Sequence, residues 1–352
     1  MTAVIILNWN GYQDTIACLE SLMAVDRQDF LWMVVDNGST DDSIEQIQAF
    51  LENRQIPFVF YKEGDDLTSA LQARRGVVYA LKENYGFAKG NNLGIELVER
   101  SVKAFGPESF FPEYYLLLNN DTEVEPDFLS KLEDFARNHP EYVALTPQIR
   151  YMEPNNLVWN CGGRLVFGLR IYNYDRKPCA TIKEKGYIPI SLITGCALFA
   201  RRELLGNPDE GLRGYVCPDP AALQRPRLLT ERFFFGEEDF DFSLTRQAKR
   251  EKMACVLDSI IYHKSGATRK DFKLSGHYYM HHINRFTDVR QHWNPVKFRL
   301  WRQVYMPYIA YALHGYGVSW KEIRQYLKRL WKESTMMDGM DRACFLKWIG
   351  EK

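Results

Sequence analysis

The sequence lacks an excess of either charge. Its 352 residues include 45 Lys and Arg and 45 Asp and Glu, so the total charge gives no reason to expect nucleic acid as a partner. It is not poor in apolar residues: these make up 46% of the chain, and aromatic residues make up 14%. A chain of this length and composition forms a substantial core, which excludes disordered and fibrous proteins.

Paired cysteine motifs and long apolar runs are also missing. The seven cysteines are scattered, with no C-x-x-C spacing, which argues against a disulfide framework and a structural zinc site. The start enters an apolar run without the basic segment and cleavage region of a signal peptide. No apolar run reaches the roughly 18 residues that suggest a membrane span. We therefore expect a cytoplasmic protein, either free or peripheral at the inner face of the membrane.

Short apolar runs alternate with amphipathic segments in the first third of the chain. Residues 3–9, 30–35 and 114–118 are rich in apolar and β-branched side chains, and each run ends in a polar cluster. This alternation predicts an α/β fold with a mostly parallel central sheet and helices on both faces. In such sheets ligands bind beyond the carboxyl ends of the strands.

Four polar clusters occur in order along this pattern. They are VDNGSTD at 35–41, NYGFAKGNN at 84–92, NND at 119–121 and FGEEDFD at 235–241. Together they resemble the inverting transferases of glycosyltransferase family 2, over roughly residues 3 to 270. The resemblance implies the GT-A (nucleotide-diphospho-sugar transferase) fold, with a C-terminal helical extension beyond it.

The resemblance implies that a nucleotide-diphosphate sugar donor binds at the first three clusters. Glycine there lets the backbone approach a ligand, and a helix start offers N–H groups to phosphate. A simpler interpretation is that Asp36 and Ser39 merely cap the next helix. The donor-binding residues that the resemblance implies are Asn8, Asp36, Asn84, Gly86, Lys89, Asn119 and Asp121.

The resemblance also implies a metal site made by Asp121 and His263. Mg²⁺ or Mn²⁺ prefers a carboxylate together with phosphate oxygens, and stabilises charge on a departing diphosphate. The family usually has two acids separated by one residue here, whereas the first position in this chain is Asn119. The alternatives are a plain turn at 119–121 and a structural histidine at the end of a strand.

Acidic residues precede a predicted helix at the fourth cluster. The resemblance gives Asp239 as the catalytic base that takes the proton of an acceptor hydroxyl. It gives Glu238 and Arg246 as acceptor-binding residues, and Gly195 as a position where the acceptor approaches closely. The aromatic run at 233–235 supplies apolar bulk, which raises a carboxylate pKa. Alternatively, the acids only interact favourably with the helix dipole.

The C-terminal part is aromatic and basic. Between residues 297 and 332 there are eight basic residues and one acid, and apolar residues recur at helical spacing over 320–331. Such a helix lies on an anionic membrane, or packs onto the domain or a second subunit in a homo-oligomer. The predicted organisation is a donor half at 1–125, an acceptor and catalytic half of the same domain at 126–270, and a helical extension at 271–352.

These features predict an inverting, metal-dependent glycosyltransferase acting on a saccharide or lipid-linked saccharide. ILNWNG at 6–11 and NNDT at 119–122 resemble bacterial rhamnosyltransferases of surface polysaccharide synthesis, which suggests rhamnose as the sugar. A nucleotidyltransferase that makes a sugar nucleotide would need a glycine-rich, basic loop after the first strand, and residues 8–13 have no basic residue. A non-catalytic nucleotide- or saccharide-binding protein would not need Asp239. The stretch 62–76 has no assigned role.

Overall fold

The structure, a computed structural model, describes residues 1–72, 75–106, 110–264 and 276–349. Up to residue 138 strands alternate with helices, as the sequence predicts, except that β4 follows β3 and β6 follows β5 without a helix between them. The elements of this part are β1 (Thr2–Asn8), α1 (Tyr12–Met23), β2 (Leu31–Asp36), α2 (Ser43–Asn53), β3 (Phe58–Lys62), β4 (Gly76–Ala80), α3 (Phe87–Phe105), β5 (Tyr114–Asn119), β6 (Thr122–Val124) and α4 (Phe128–Asn138).

The second part of the chain contains shorter strands and then helices. Its strands are β7 (Tyr142–Tyr151), β8 (Val158–Asn160), β9 (Gly163–Val166), β10 (Leu169–Tyr172), β11 (Tyr187–Ile190), β12 (Ala197–Arg201) and β13 (Lys252–His263). Its helices are α5 (Glu238–Ala248), α6 (Gly276–His292), α7 (Pro295–Gly315), α8 (Trp320–Glu333) and α9 (Arg342–Ile349).

Eleven of the strands in the described ranges form one mixed sheet. Its order is β11-β13-β7-β12-β5-β1-β2-β4-β3, with β6 beside β13 and β8 beside β7. The pairs formed by β1 to β5 with one another are parallel. From β12 onward most pairs are antiparallel, although β7 and β13 are parallel. The predicted parallel sheet therefore describes the first half of the chain best.

Helices cover both faces of this sheet because the central strands are apolar on both sides. Ile5 and Val35 belong to the core on one face, which α3 covers. Ile6 and Val34 belong to the core on the other face, which α1, α2 and α4 cover. A continuous apolar run is what such a doubly covered strand requires.

The stretch 62–76 connects β3 to β4, with residues 73 and 74 outside the described ranges. Leu71 is buried in the core on the α3 side. Its backbone N–H donates to Ser101 Oγ on α3 at 2.9 Å. This part of the stretch therefore packs onto the domain, which the sequence did not indicate.

Strands β9 and β10 form a separate antiparallel hairpin, which the sequence pattern did not predict. The turn residues Phe167 and Gly168 have φ values of +48° and +70°, as in the type I′ turns that suit two-residue hairpins. Each strand has only four residues, which is too short for a clear alternating pattern. This hairpin lies over the start of α5 and becomes part of the candidate site.

The C-terminal helices α6 to α9 share a core of their own with α5. Trp301 and Tyr305 of α7 are buried together with Phe286 of α6 and Phe240 of α5. Ile323 and Leu330 of α8 are also buried in it. The predicted helical extension is confirmed, whereas its boundary at 271, and the boundary at 125, stay predictions. Within the described residues, none of the helices combines the length and the apolar character needed to span a bilayer.

Candidate active site

Three predicted donor-binding residues, Asn8, Asp36 and Asn119, lie at the carboxyl edge of the parallel sheet, which we call the donor edge. Asn8 at the end of β1 pairs with Asp36 at the end of β2. Asn119 at the end of β5 pairs with Leu7 on the other side of β1. Because all three strands are parallel, their carboxyl ends meet at one edge, where ligands of such sheets bind.

Asp36 is fully buried and bonded to its neighbours. Its carboxylate accepts hydrogen bonds from Asn8 Nδ2 at 2.7 Å and from Ser39 Oγ at 2.6 Å and backbone N–H at 2.9 Å. Thr15 Oγ1 in turn donates to Asn8 Oδ1 at 2.8 Å. Asp36 thus shapes the turn after β2, and the N-cap of α2 is Asp42. A direct role of Asp36 and Asn8 in donor binding stays a prediction.

Asn37, which the sequence analysis did not select, joins this turn to the donor loop (residues 84–89). Its Nδ2 donates to Asn84 Oδ1 at 3.0 Å and to the Gly86 carbonyl at 3.2 Å. Its Oδ1 accepts from the Tyr85 N–H at 3.0 Å. Asn84 Oδ1 also accepts from the Gly86 N–H at 2.8 Å. The only sequence signal for Asn37 was its place in the 35–41 cluster.

Gly86 connects the donor loop to the acid loop (residues 234–239). It has φ +84°, and a Cβ there would lie 2.0 Å from the Phe234 carbonyl oxygen. The N–H of Phe87, the first residue of α3, donates to the same oxygen at 3.3 Å. Further along the loop, Lys89 Nζ lies 4.3 Å from the Tyr85 ring centre. Glycine is required at 86 both by its conformation and by the close approach.

Asp121 and His263 meet because β6 pairs with the end of β13, where His263 lies opposite Thr122. His263 Nε2 is 3.1 Å from Asp121 Oδ2. Within the described residues, Asp121 Oδ1 and His263 Nδ1 are buried without a hydrogen-bond partner. Unsatisfied buried acceptors of this kind are costly unless something binds them. A carboxylate beside an imidazole is a pair of ligands that fits a divalent metal ion such as Mn²⁺.

A second acidic cluster holds an arginine instead. Asp241, Asp288 and His292 offer ligand atoms within 4.8 Å of one another. The Arg232 guanidinium is bonded to Asp241 and, at 2.8 Å, to Asp288. Burial raises the pKa of Asp288 well above its usual range, although Arg232 opposes the shift. Because a cation already neutralises these acids, we interpret the cluster as a structural ion network that ties α6 to α5.

Glu237 anchors the acid loop through two arginines. It has a left-handed backbone, with φ +72°, which costs energy in a residue with a side chain. Its carboxylate accepts from Arg285 at 2.9 and 3.0 Å and from Arg170 Nη2 at 2.9 Å. Burial alone would raise the pKa of Glu237, but the two guanidinium groups hold it well below its usual range. No pattern in the sequence indicated either arginine, since Arg170 belongs to the unpredicted hairpin.

Glu238 and Asp239 begin α5 beside this ion pair. Burial, followed by the charge of Asp239, raises the pKa of Glu238 to about 8. Glu238 Oε2 is buried without a hydrogen-bond partner among the described residues. Asp239 is 23% exposed, and its Oδ1 accepts from Arg170 Nη2 at 3.1 Å. One carboxyl group is therefore protonated near neutral pH, beside another that is ion-paired and open to solvent.

Gly195 lies between the donor edge and the candidate base Asp239. A Cβ at Gly195 would be 3.4 Å from the Phe87 ring and 3.9 Å from Asp239 Cβ. The next residue, Cys196, accepts a hydrogen bond from the Asn119 N–H at 2.9 Å. Cys196 thus contacts the donor edge through its carbonyl, and Gly195 lies near the candidate base on the other side.

Arg246 lies two turns beyond Asp239 on α5 and is buried. Its Nη1 is 2.8 Å from Glu251 Oε2, and its guanidinium lies over the Phe242 ring. Burial lowers its pKa. The structure therefore gives Arg246 a partner inside the fold, and its contact with an acceptor stays a prediction.

The chain matches the family model described as Glycosyl transferase family 2 over residues 3–206. The match includes the donor edge, the donor loop and Asp121. It ends before the acid loop and His263, so these residues depend on the geometry alone. No curated protein matches the chain.

Among solved structures, the chain is similar to GalNAc-T7 with UDP, GalNAc and Mn²⁺, at 12% identity and a TM-score of 0.53, over 99% of this chain and 56% of that one. It also matches the mannosyltransferase PcManGT from Pyrobaculum calidifontis in complex with GDP-Man and Mn²⁺, at 12% identity and a TM-score of 0.47, over 96% and 86%. Residues 1–349 of S. aureus TarS match at 13% and 0.44, over 84% and 68%. The likeness to GalNAc-T7 confirms the predicted GT-A fold.

Proposed function

The chain belongs to glycosyl transferase family 2, and from that premise we propose that it transfers a sugar from a nucleotide-diphosphate sugar to a hydroxyl, with inversion. The observation that carries the proposal is the position of Gly195 and Cys196, which lie between Asp239 and the donor edge. A donor and an acceptor bound on either side of this segment would be held next to each other. Positioning of this kind supplies a large part of the catalysis of a two-substrate reaction.

We assign the role of general base to Asp239. Its exposed carboxylate takes the proton of the acceptor hydroxyl as that oxygen attacks the anomeric carbon. Arg170 fixes the carboxylate while leaving it accessible. A single displacement of this kind inverts the anomeric configuration. Glu238, protonated near neutral pH, donates a hydrogen bond that orients the acceptor.

Asp121 and His263 would hold Mg²⁺ or Mn²⁺. Such an ion, when bound, supplies positive charge that stabilises the departing diphosphate. The GalNAc-T7 structure of the same fold contains UDP and Mn²⁺, which supports both a nucleotide donor and a divalent ion here. The Phe87 N–H is already bonded to the Phe234 carbonyl, so the phosphates would bind the N–H groups that follow it in the first turn of α3.

We propose a saccharide or lipid-linked saccharide of a cell-surface polysaccharide as the acceptor, and rhamnose as the sugar. The support for rhamnose is the resemblance of residues 6–11 and 119–122 to rhamnosyltransferases. The test is hydrolysis of a panel of nucleotide sugars, including dTDP-rhamnose and UDP-sugars, with Mn²⁺ or Mg²⁺ and then with chelator. We expect selective, metal-dependent release of one nucleoside diphosphate. Binding of no member of the panel would contradict the proposed function.

The pKa of Glu238 gives a prediction for stability against pH. The folded state keeps the Glu238 proton up to about pH 8, whereas the unfolded chain loses it at the ordinary value. Glu238 therefore stabilises the fold fully below its ordinary pKa, and this contribution is lost as pH rises toward 8. Glutamine mimics the neutral form. We expect the difference in unfolding free energy between Glu238→Gln and the wild type to shift in favour of the variant by about 2 kcal/mol between pH 5 and pH 9. This figure is smaller than the full pKa shift would give, because the side chain is partly exposed and solvent screens its charge.

Urea unfolding of both proteins at several pH values measures this difference. The matched control is Glu203→Gln, an acid next to β12 that lies outside the site. An equal stability difference between Glu238→Gln and wild type at pH 5 and 9 would show that Glu238 is ionised at neutral pH.

A further inference from the structure

Helix α7 is apolar on two opposite faces. One face is buried in the core of the extension and includes Trp301, Tyr305 and Ile309. The other faces outward, and five of its side chains are 54% to 80% exposed: Val296, Leu300, Val304, Tyr308 and Tyr311. These five residues, which we call the α7 face, recur every three or four positions. Packing within the chain explains the first face, and an outward apolar stripe marks an interaction surface.

Helix α7 packs next to the β9–β10 hairpin. The Phe167 ring is 5.6 Å from the ring of Trp293, just before α7. Gly168 packs so closely on Trp301 that a Cβ would be 2.6 Å from its Nε1. The hairpin exposes further apolar residues, at 40% to 48%: Val166, Phe167, Ile171 and Tyr172. Its Arg170 reaches the candidate base Asp239, so the hairpin connects α7 to the candidate site.

Charge indicates what this surface contacts. Helix α7 has the exposed Lys297 and Arg299 and no acidic residue, while its Arg302 stacks on the Trp331 ring of α8. Helix α8 adds five basic residues and only two acids, Glu322 and Glu333. Two copies of such a face would bring like charges together, which opposes a dimer through it. Anionic lipid headgroups are complementary to it, and exposed tyrosines and tryptophans are typical of the membrane–water interface.

The sequence left open whether the apolar positions of α8 contact a membrane or pack onto the domain. Ile323 and Leu330 are buried within the extension, so these two pack onto the domain. Helix α8 keeps its basic residues on the outside, together with Trp320 at 59% and Trp331 at 46% exposure. The larger apolar part of the exposed surface therefore lies on α7, which was not predicted from the sequence.

We infer that the α7 face docks on the surface of an anionic lipid bilayer. The 21 residues of α7 would lie in the plane of the headgroups, with the five apolar side chains inserted and the basic residues of α7 and α8 on the phosphates. The hairpin and Asp239 are then close to the membrane surface. In its second part this inference rests on the proposed function: the acceptor hydroxyl would belong to a saccharide on a lipid in that bilayer.

The test is flotation of the full chain with vesicles of phosphatidylcholine, alone or mixed with phosphatidylglycerol. We expect binding only to the anionic vesicles, and weaker binding at high salt. The double variant Val304→Ser with Tyr311→Ser should reduce binding at least about tenfold. Lys297→Glu with Arg299→Glu should do the same. Val216→Ser, at a position 84% exposed outside the α7 face, is the matched control and should bind like the wild type.

Each variant is checked by thermal unfolding and by donor hydrolysis, neither of which should change, since these side chains are exposed and outside the candidate site. The inference would be overturned if the wild-type chain does not bind anionic vesicles, or if an α7-face variant binds them as well as the wild type does. If light scattering shows that the wild type is a dimer and that the α7-face variant is a monomer, the partner of the α7 face is a second copy of the chain and not a membrane. Failure of donor hydrolysis in the wild type would count against the proposed function and leave vesicle binding as it is.

Discussion

Asp239→Asn is expected to lower kcat by about 10²- to 10⁴-fold, the usual contribution of a general base. Asparagine keeps the size of the side chain and its contact with Arg170 but cannot take the acceptor proton. Donor affinity should stay unchanged, because the Asp239 carboxylate is bonded to Arg170 and not to the donor edge. Turnover with acceptor and isothermal titration with the nucleotide sugar measure the two quantities separately.

The matched control for this variant is Asp258→Asn, an exposed aspartate on β13. It should retain full turnover. A variant at 239 with wild-type kcat would remove the assigned base and favour a non-catalytic binding protein. If Glu238→Gln loses more turnover than Asp239→Asn at every pH, the base is Glu238.

Asp121→Asn is expected to lower kcat/KM by about 10³-fold, because a divalent ion contributes several kcal/mol of charge stabilisation at a departing diphosphate. The variant should also lose Mn²⁺ binding measured directly by electron paramagnetic resonance. Chelator should bring the wild type down to the level of the variant and have little further effect on the variant itself.

Asp14→Asn is the control. Asp14 accepts a hydrogen bond from Lys264, the residue after His263, at 2.7 Å, but it is not one of the proposed metal ligands. It should bind Mn²⁺ like the wild type. A second variant, His263→Ala, should weaken Mn²⁺ binding less than Asp121→Asn, because it leaves the charged ligand in place. Wild-type activity that survives chelator, together with an active Asp121→Asn, would make the Asp121–His263 pair structural.

The sequence predicts the donor edge well for a physical reason. Parallel strands end at one edge, so Asn8, Asp36 and Asn119 had to lie together once β1, β2 and β5 were identified from their apolar runs. The proximity of Asp121 and His263 followed from the family resemblance alone. It depends on pairing between β6 and β13, whose paired residues are 137 to 141 positions apart along the chain (261 − 124 and 263 − 122), and no local pattern specifies such pairing.

The residues that the sequence did not reveal act through long-range ion pairs. Arg170 and Arg285 are 67 and 48 positions from Glu237, and an arginine has no local signature for the acid it will meet. The β9–β10 hairpin was missed because four-residue strands give almost no periodicity. Helix α8 shows the opposite problem: its amphipathic pattern suits both burial and a membrane, and only tertiary packing distinguishes them.

The contact between Gly86 and the Phe234 carbonyl limits how this enzyme can be redesigned. Changing sugar preference by transplanting residues 84–89 from a relative would succeed only with grafts that keep glycine at 86, since any other side chain meets backbone 2.0 Å away. A chimera that takes the family-matched segment from one protein and the acid loop from another must keep the same close contact. The donor loop and the acid loop therefore depend on each other's backbone positions, and directed evolution would need to vary both loops together.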